Sequence, residues 1–241
     1  MMTSPENHQD VLVILPTYNE RENLPQMLEA ISGSLPGAHV LVIDDASKDG
    51  TGLVADELAS ARDWLFVHHR EGKLGLGTAY RWGFGWALER PYEHVFEMDC
   101  DFSHDPRDLP RLLERSRRGA DLVIGSRYVP GGGTDNWTWG RRAMSRGGGA
   151  YSRLVLGVSV RDLTAGFRCF RRRTLELLGP ESLRAEGFAF QIEVTYRVAR
   201  AGLTIVEVPV IFRDRVRGES KMSGGIFLEA LLAVWRIRLG L

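Results

Sequence analysis

The first half of the chain alternates short, continuous apolar runs with stretches in which apolar side chains recur at helical spacing. Residues 11–15 (VLVIL) form a run closed by Pro16, the pattern of a strand buried on both faces. Asn23 then offers a helix cap ahead of Leu24, Met27, Leu28 and Ile31, and Pro25 is tolerated in a first helical turn. Residues 40–43 predict a second strand, 49–58 a helix, 64–68 a third strand and 79–88 another helix. A fourth strand at 94–98 runs into Asp99-Cys100-Asp101. Asp105-Pro106 opens a helix with Leu109, Leu112 and Leu113 on one face, and 122–124 is a fifth strand ending at Gly125-Ser126-Arg127.

Strands alternating with helices at these lengths predict an α/β fold with a mostly parallel sheet covered by helices on both sides. In such sheets ligands bind beyond the carboxyl ends of the strands. Four polar clusters fall there: Thr17-Tyr18-Asn19-Glu20, Asp44-Asp45, Asp99 to Asp101, and Ser126-Arg127. Beyond residue 127 the pattern loosens. Residues 130–140 form a Gly-rich loop with two tryptophans, and 141–156 reads as a helix weakened by Gly147-Gly148-Gly149. A helix at 188–201, an edge strand at 204–212 containing Pro209, a polar loop at 213–225 and a closing helix at 226–241 complete the chain.

Composition narrows the class. The 241 residues carry 44% hydrophobic and 26% charged side chains, enough for a core, and Lys+Arg and Asp+Glu both number 31. Zero net charge argues against a protein driven onto nucleic acid by its overall field. Two cysteines, Cys100 and Cys169, make no disulfide framework. The polar start MMTSPENHQD lacks a signal-peptide pattern, and no apolar run reaches the roughly 20 residues that span a bilayer. A cytoplasmic protein, soluble or peripheral to a membrane, is expected.

Candidate chemistry concentrates at the strand ends. Asp99 and Asp101, one residue apart after an apolar strand, project to the same side and suit a hard divalent cation that keeps positions open for phosphate. A bare pair of this kind also occurs as solvated loop aspartates, and its place on the rim favours the metal. Ser103 and His104 lie close by, and His104 reads as ligand, base or neither. Asp45 can accept hydrogen bonds from a nucleotide, while Asp49 can cap the helix after it. The stretch Gly72-Lys73-Leu74-Gly75-Leu76-Gly77-Thr78 lacks both the Walker A order and G-x-G-x-x-G, which disfavours a P-loop ATPase or a dehydrogenase. Arg127, Arg141, Arg142 and Arg146, and later Arg213, Arg215, Arg217 and Lys221, form basic clusters that read either as solvated surface or as forks for phosphate oxygens.

Three segments, LPTYNE at 15–20, DDASKDGT at 44–51 and MDCDFSHDP at 98–106, together resemble the inverting GT-A glycosyltransferases of family two. GSRY at 125–128, TAGFR at 164–168 and GESKM at 218–222 are similar to the polyprenol-phosphate (dolichol-phosphate) mannose synthases within that family. The resemblance implies a GT-A catalytic domain over 1–225, with a disordered tail at 1–10, and an amphipathic, interfacial helix at 226–241. It implies GDP-mannose as donor, held by Pro16, Tyr18, Glu20, Ile43 and Asp45, with Cys100 and Arg127 also lining the donor site. Mg²⁺ or Mn²⁺ would sit on Asp101, Asp99 and Ser103, and Arg215 and Lys221 would close over the diphosphate. Arg127, Arg141 and Ser145 would grip the phosphate of a polyprenyl acceptor. Because that phosphate is already anionic, no general base is required, and Glu193 reads as structural or sugar-contacting. The lipid implies work at the cytoplasmic membrane surface, alone or with a membrane-anchoring subunit. Transfer of another sugar, such as glucose from UDP-glucose, and a non-catalytic sugar-nucleotide-binding subunit are the competing readings.

Overall fold

The computed structural model describes residues 8–213 and 224–240; for Phe188 and residues 224–231 only the backbone is described. The strands are β1 (Val11–Thr17), β2 (His39–Asp44), β3 (Leu65–His69), β4 (His94–Glu97), β5 (Leu122–Ser126), β6 (Gly133–Asp135), β7 (Arg168–Arg171), β8 (Ile205–Pro209) and β9 (Ile211–Arg213). The helices are α1 (Leu24–Ser34), α2 (Thr51–Ser60), α3 (Leu76–Leu88), α4 (Leu109–Arg117), α5 (Trp139–Leu156), α6 (Arg172–Leu178), α7 (Gly187–Arg200) and α8 (Gly224–Leu239).

Seven strands form the main sheet in the order β3-β2-β1-β4-β7-β5-β8, and β6 and β9 form a separate parallel pair. All strands of the main sheet run in one direction except β7, which is antiparallel to both β4 and β5. The chain leaves β1 toward β2 and β3, then returns to place β4 on the other side of β1. The crevice between the ends of β1 and β4 is therefore a topological switch point. Period-2 alternation gives the sheet two cores. Val11, Val13 and Leu15 of β1 face Leu24 and Leu28 of α1 and Leu109 and Leu112 of α4, while Leu12 and Ile14 face Tyr80, Phe84 and Phe190. On that second side α3 lies flush on β1, because a Cβ at Gly83 would come 2.9 Å from Ile14 Cδ1.

Several expectations need correction. β1 continues through Pro16 to Thr17, where a parallel partner strand accommodates the missing N–H. The Asn23 side chain does not cap α1; it donates to Glu20 Oε2 at 2.7 Å. α2 begins at Thr51 behind a left-handed Gly50, with the Asp49 carboxylate accepting from the Thr51 N–H at 3.0 Å. The run at 204–212 is two strands: β8 ends at Pro209 on the sheet edge, and β9 leaves to pair with β6 inside the Gly-rich loop. Residues 8–10, expected within the tail, belong to the fold, since the Asp10 carbonyl accepts from Glu93 and His94. α5 forms across Gly147 to Gly149, capped by Thr138. α8 packs on α5 and α7 through Val234 and Ile237, and Arg238 reaches the Leu156 carbonyl and Tyr196 Oη, while Leu232, Trp235 and Leu239 stay exposed.

β7 and α6 were not anticipated. Arginine at both ends of RCFR hides the strand, yet Arg168 is 0% exposed. Its guanidinium donates to the carbonyls of Ala165 (2.7 Å), Leu163 (3.0 Å) and Gln191 (3.1 Å). Those three bonds compensate the buried charge and tie the 163–165 loop to α7.

Burial also holds His94, hydrogen-bonded to Ser116 Oγ at 2.9 Å, at a pKa of about 4, below the ordinary 6.5. Between those values the unfolded chain binds the extra proton, so this contribution to stability is complete above pH 6.5 and is lost as pH falls toward 4. Thermal midpoints of the wild type minus those of His94→Gln are expected to be flat above pH 7 and to decline through that window. A flat difference throughout contradicts the assignment.

Candidate active site

The ends of β1 and β2 are stitched together by short polar side chains. Asp44, buried, accepts from Thr17 Oγ1 (3.2 Å), Ser47 N (3.1 Å) and Ser47 Oγ (2.5 Å). Ser47 Oγ in turn accepts from the Asn19 N–H, and Asn19 Oδ1 from the Lys48 N–H. Asn19, Ala46 and Phe102, which follow β1, β2 and β4, all have positive φ, at 60°, 55° and 59°. Only one other non-glycine residue among those described does so, Asn136. Backbone strain therefore gathers at three adjoining strand ends, as it does where a ligand site over-determines its loops.

Asp45 points into this rim but is buried, paired with Arg70 Nη1 at 2.5 Å and accepting from Gly75 N at 3.3 Å. Arg70 also donates to the Gly75 carbonyl and Thr78 Oγ1, so it pins the 72–78 stretch against β2. The Gly-rich segment is thus a wall of the site rather than a phosphate loop. Lys73 Nζ lies 3.8 Å above the Tyr18 ring. Pro16, Tyr18 and Glu20 are half-buried along the same edge, whereas the Ile43 side chain is buried in the core and only its backbone reaches the rim.

At the end of β4, Met98 and Cys100 point inward while Asp99 and Asp101 are half-buried on the rim. Asp101 Oδ1 accepts from the Ser103 N–H at 2.9 Å. Ser103 Oγ is buried with no hydrogen-bond partner among the described residues. His104 is buried against Phe167 and Phe212, with Nδ1 3.9 Å from Asp99 Oδ2. Gly166 leaves room there: a Cβ would lie 3.7 Å from Asp99 Oδ2. Among the described residues no cluster of three or more His, Cys, Asp or Glu side chains is arranged as a metal cage. Two carboxylates and an unsatisfied hydroxyl are a donor set that fits Mg²⁺ or Mn²⁺, whose remaining positions go to water and substrate phosphate. Behind the pair, burial raises the Glu97 carboxyl to about 7, against the charge of Arg168 and a hydrogen bond from Gln191.

At the end of β5, Arg127 forms a buried bidentate pair with Asp162: Nε to Oδ2 at 2.8 Å and Nη2 to Oδ1 at 2.7 Å, with Thr164 Oγ1 at 2.8 Å from Nη2. Burial works against the charged Asp162, but the hydrogen bonds and charge of Arg127 prevail and hold its carboxyl below the ordinary range. Nη1 makes no hydrogen bond among the described residues. Tyr128, Trp137 and Phe212 surround this guanidinium. Arg141 lies in the first turn of α5, its guanidinium 4.1 Å from the Trp137 ring centroid, and Ser145 Oγ hydrogen-bonds Tyr128 Oη at 2.6 Å one turn on. The first turn of α5 contains no acidic residue. Arginines there oppose the helix dipole, an arrangement an anion would relieve. Arg215 and Lys221 lie outside the described residues.

A parallel sheet with one reversed strand, a carboxylate pair at its switch point and a basic helix start opposite defines a nucleotide-sugar transferase architecture. The chain belongs to glycosyl transferase family 2, whose model matches residues 12–179. It is 50% identical over 233 residues to the polyprenol monophosphomannose synthase of Mycolicibacterium smegmatis, covering 95% of this chain and 88% of that protein. It is likewise 50% identical over 226 residues to the undecaprenyl-phosphate mannosyltransferase of Micrococcus luteus, covering 94% and 93%. Among solved structures it resembles glucosyl-3-phosphoglycerate synthase from Mycobacterium tuberculosis, crystallised with Mn²⁺, UDP and glucosyl-3-phosphoglycerate. That match has a TM-score of 0.68 at 24% identity, over 96% of this chain and 80% of the other. A mannosyltransferase from Pyrobaculum calidifontis in complex with GDP-Man and Mn²⁺ matches with a TM-score of 0.59 at 19% identity, over 97% and 71%. At these identities the last two show the shared fold.

Arg70 and Asp162 were missed by sequence reasoning because their partners are 25 and 35 residues away; only the pairing itself marks them. Arg70→Ala is expected to leave Asp45 buried and uncompensated, lowering stability by about 3 kcal/mol and weakening donor binding while leaving acceptor affinity alone. Urea unfolding and donor titration check both parts.

Proposed function

We propose that this chain transfers mannose from GDP-mannose to a polyprenyl phosphate with inversion, giving a β-linked polyprenyl-phosphate mannose. The observation that carries the reading is the pairing of two phosphate-directed centres on one rim. Asp99 and Asp101 stand at the β1/β4 switch point, and the arginine-bearing start of α5 stands beyond β5. The 50% identity to two enzymes named for polyprenyl-phosphate mannosylation supports the choice of donor sugar and acceptor.

Tyr18, Glu20 and Asp45 line the nucleoside end of the donor, and Asp99, Asp101 and Ser103 would hold Mg²⁺ or Mn²⁺ at the diphosphate. Such a cation offsets the negative charge that grows on the leaving diphosphate. Arg141, Ser145 and the remaining Nη1 of Arg127 hold the acceptor phosphate on the opposite side of the sugar, with Arg215 and Lys221 assigned to the diphosphate. The bond from the anomeric carbon to the diphosphate oxygen breaks with its electron pair as a phosphate oxygen forms the new bond. A phosphate monoester is already ionised near neutral pH, so no proton has to be removed. Glu193 supports this economy. Its Oε2 accepts from Arg184 N and Ala185 N at 3.1 and 2.8 Å, and Oε1 pairs with Arg197 at 2.5 Å. A carboxylate with both oxygens so committed fastens a loop and is not offered to the acceptor.

The acceptor's lipid places the reaction at the membrane, at its cytoplasmic face, with or without a separate anchoring subunit. None of the helices among the described residues is long and apolar enough to cross a bilayer. Contact is assigned to the joined faces of α5 and α8, where Trp139 (83% exposed), Leu154, Trp235 and Leu239 are interspersed with arginines.

Purified chain, Mn²⁺ or Mg²⁺, a short polyprenyl phosphate and labelled GDP-mannose are expected to give labelled, organic-soluble β-mannosyl lipid. UDP-glucose in its place is expected to give little. Chelation and Asp101→Ala should each reduce the rate by at least about 10²-fold, and Glu193→Gln by less than about threefold. Label from UDP-glucose alone overturns the sugar assignment; full activity of Asp101→Ala overturns the metal assignment.

A further inference from the structure

Arg127 is held by the turn that follows α5. Asp162 Oδ2 accepts from the Arg127 backbone N–H at 2.9 Å as well as from Nε, Oδ1 accepts from Nη2, and Thr164 Oγ1 accepts from that same nitrogen. The guanidinium is therefore only as well placed as residues 161–164. Downstream, Arg168 fixes this turn by donating to the carbonyls of Leu163 and Ala165. Upstream, the turn is held by a group of the opposite charge. Glu207 in β8 accepts from the Arg161 N–H through Oε2 at 2.8 Å and from the Asp162 N–H through Oε1 at 2.9 Å. Two successive N–H groups turned to one side form an anion-binding concavity, and here a side chain fills it. β8 is registered against β5, with Glu207 opposite Ile124 and Pro209 opposite Ser126, so the carboxylate stands on the strand beside the one that leads into Arg127. A carboxylate between Val206 and Val208 in an edge strand reads from sequence as solvent-facing. It is instead half-buried, with one oxygen on each amide.

We propose that Glu207 is a positioning residue of the acceptor-phosphate site: by holding the amides of Arg161 and Asp162 it sets the carboxylate that aims Arg127 at the incoming phosphate monoester. The proposal rests on the acceptor reading above. Glu207 touches no reacting atom; it acts through Asp162 on the side chain that meets the phosphate, and such support decides how well a binding group is preorganised. The requirement is for two acceptor oxygens at the reach of a glutamate. Glutamine fills the same volume but turns an NH₂ toward one of the two N–H groups, which is left unsatisfied. Aspartate keeps both oxygens and loses one methylene of reach. Gly166 and the acidic pair lie beyond the Arg168 bonds in sequence, so the effect is directed to the acceptor side.

The test uses the full chain with Mn²⁺. Calorimetric titration with a short, water-soluble polyprenyl phosphate is run beside steady-state kinetics in which acceptor and donor are varied separately. Glu207→Gln is expected to weaken acceptor binding about tenfold, the scale of one hydrogen bond to a charged group, and Glu207→Asp about threefold. Donor KM should stay within about twofold for both. In an Arg127→Ala background the Glu207 substitutions should add less than about twofold, because they act through the side chain already removed. Losses that add in full to that of Arg127→Ala, or a donor KM that moves in step with the acceptor's, make Glu207 merely structural and overturn the proposal. So does wild-type acceptor affinity in Glu207→Gln. If Glu207→Gln does not fold by thermal melting, the same cycle with Glu207→Asp decides. Wild-type acceptor affinity in Arg127→Ala, or no acceptor binding by the wild-type chain, overturns the acceptor reading and this proposal with it. A loss in Arg127→Ala that neither Glu207 variant shares overturns the proposal alone.

Discussion

A single buried guanidinium holds the two halves of the rim in register. Arg168 opens the one reversed strand of the sheet, inserted between β4, which leads into the acidic pair, and β5, which leads into Arg127. Its three bonds to the carbonyls of Leu163, Ala165 and Gln191 set the path of the 162–167 loop. That loop presents Asp162 to Arg127 on one side and Gly166 to Asp99 and His104 on the other. Burial lowers the pKa of Arg168 to about 10, with Glu97 and Asp162 opposing the shift, so it remains charged at neutral pH. Removing such a group leaves its partners exposed to the full cost of burial, on the order of 3–5 kcal/mol. A strand that looks like an interruption of the parallel sheet is therefore what spaces the acidic pair from the basic start of α5.

The charges on the rim fall into two groups. The oxygens of Asp44, Asp45 and Asp162 fasten loops: Asp44 to Ser47 and Thr17, Asp45 to Arg70 and Gly75, Asp162 to Arg127. Glu193 is fastened in the same way. Asp99, Asp101 and the Ser103 hydroxyl form the group suited to a cation, and the α5 start forms the group suited to an anion. A phosphate acceptor needs no proton taken from it, so the commitment of Glu193 to a loop is consistent with the proposed chemistry.

Much of this was legible in the chain because local pattern determined it. β1, β2, β4 and β5 are apolar runs ended by polar clusters, and the direction of a parallel sheet sends all four ends to one rim. The Asp99/Asp101 pair and the family resemblance followed from contiguous residues. What escaped depended on distant partners. β7 was hidden because a buried arginine reads as surface until its carbonyl acceptors are known. The pairing of Arg127 with Asp162 and of Asp45 with Arg70 was likewise invisible, because the partners are 35 and 25 residues apart. The division of the 204–212 run into β8 and β9 was set by pairing with β6, an element too short to announce itself.

The account is tested most directly by a crystal structure of the chain with Mn²⁺, GDP-mannose and a short polyprenyl phosphate analogue that cannot react. It predicts the donor diphosphate beside Asp99 and Asp101 and the acceptor phosphate within hydrogen-bond reach of Arg141 and Ser145, with the anomeric carbon between them. An acceptor phosphate bound away from the start of α5, or a cation held without Asp101, would contradict it.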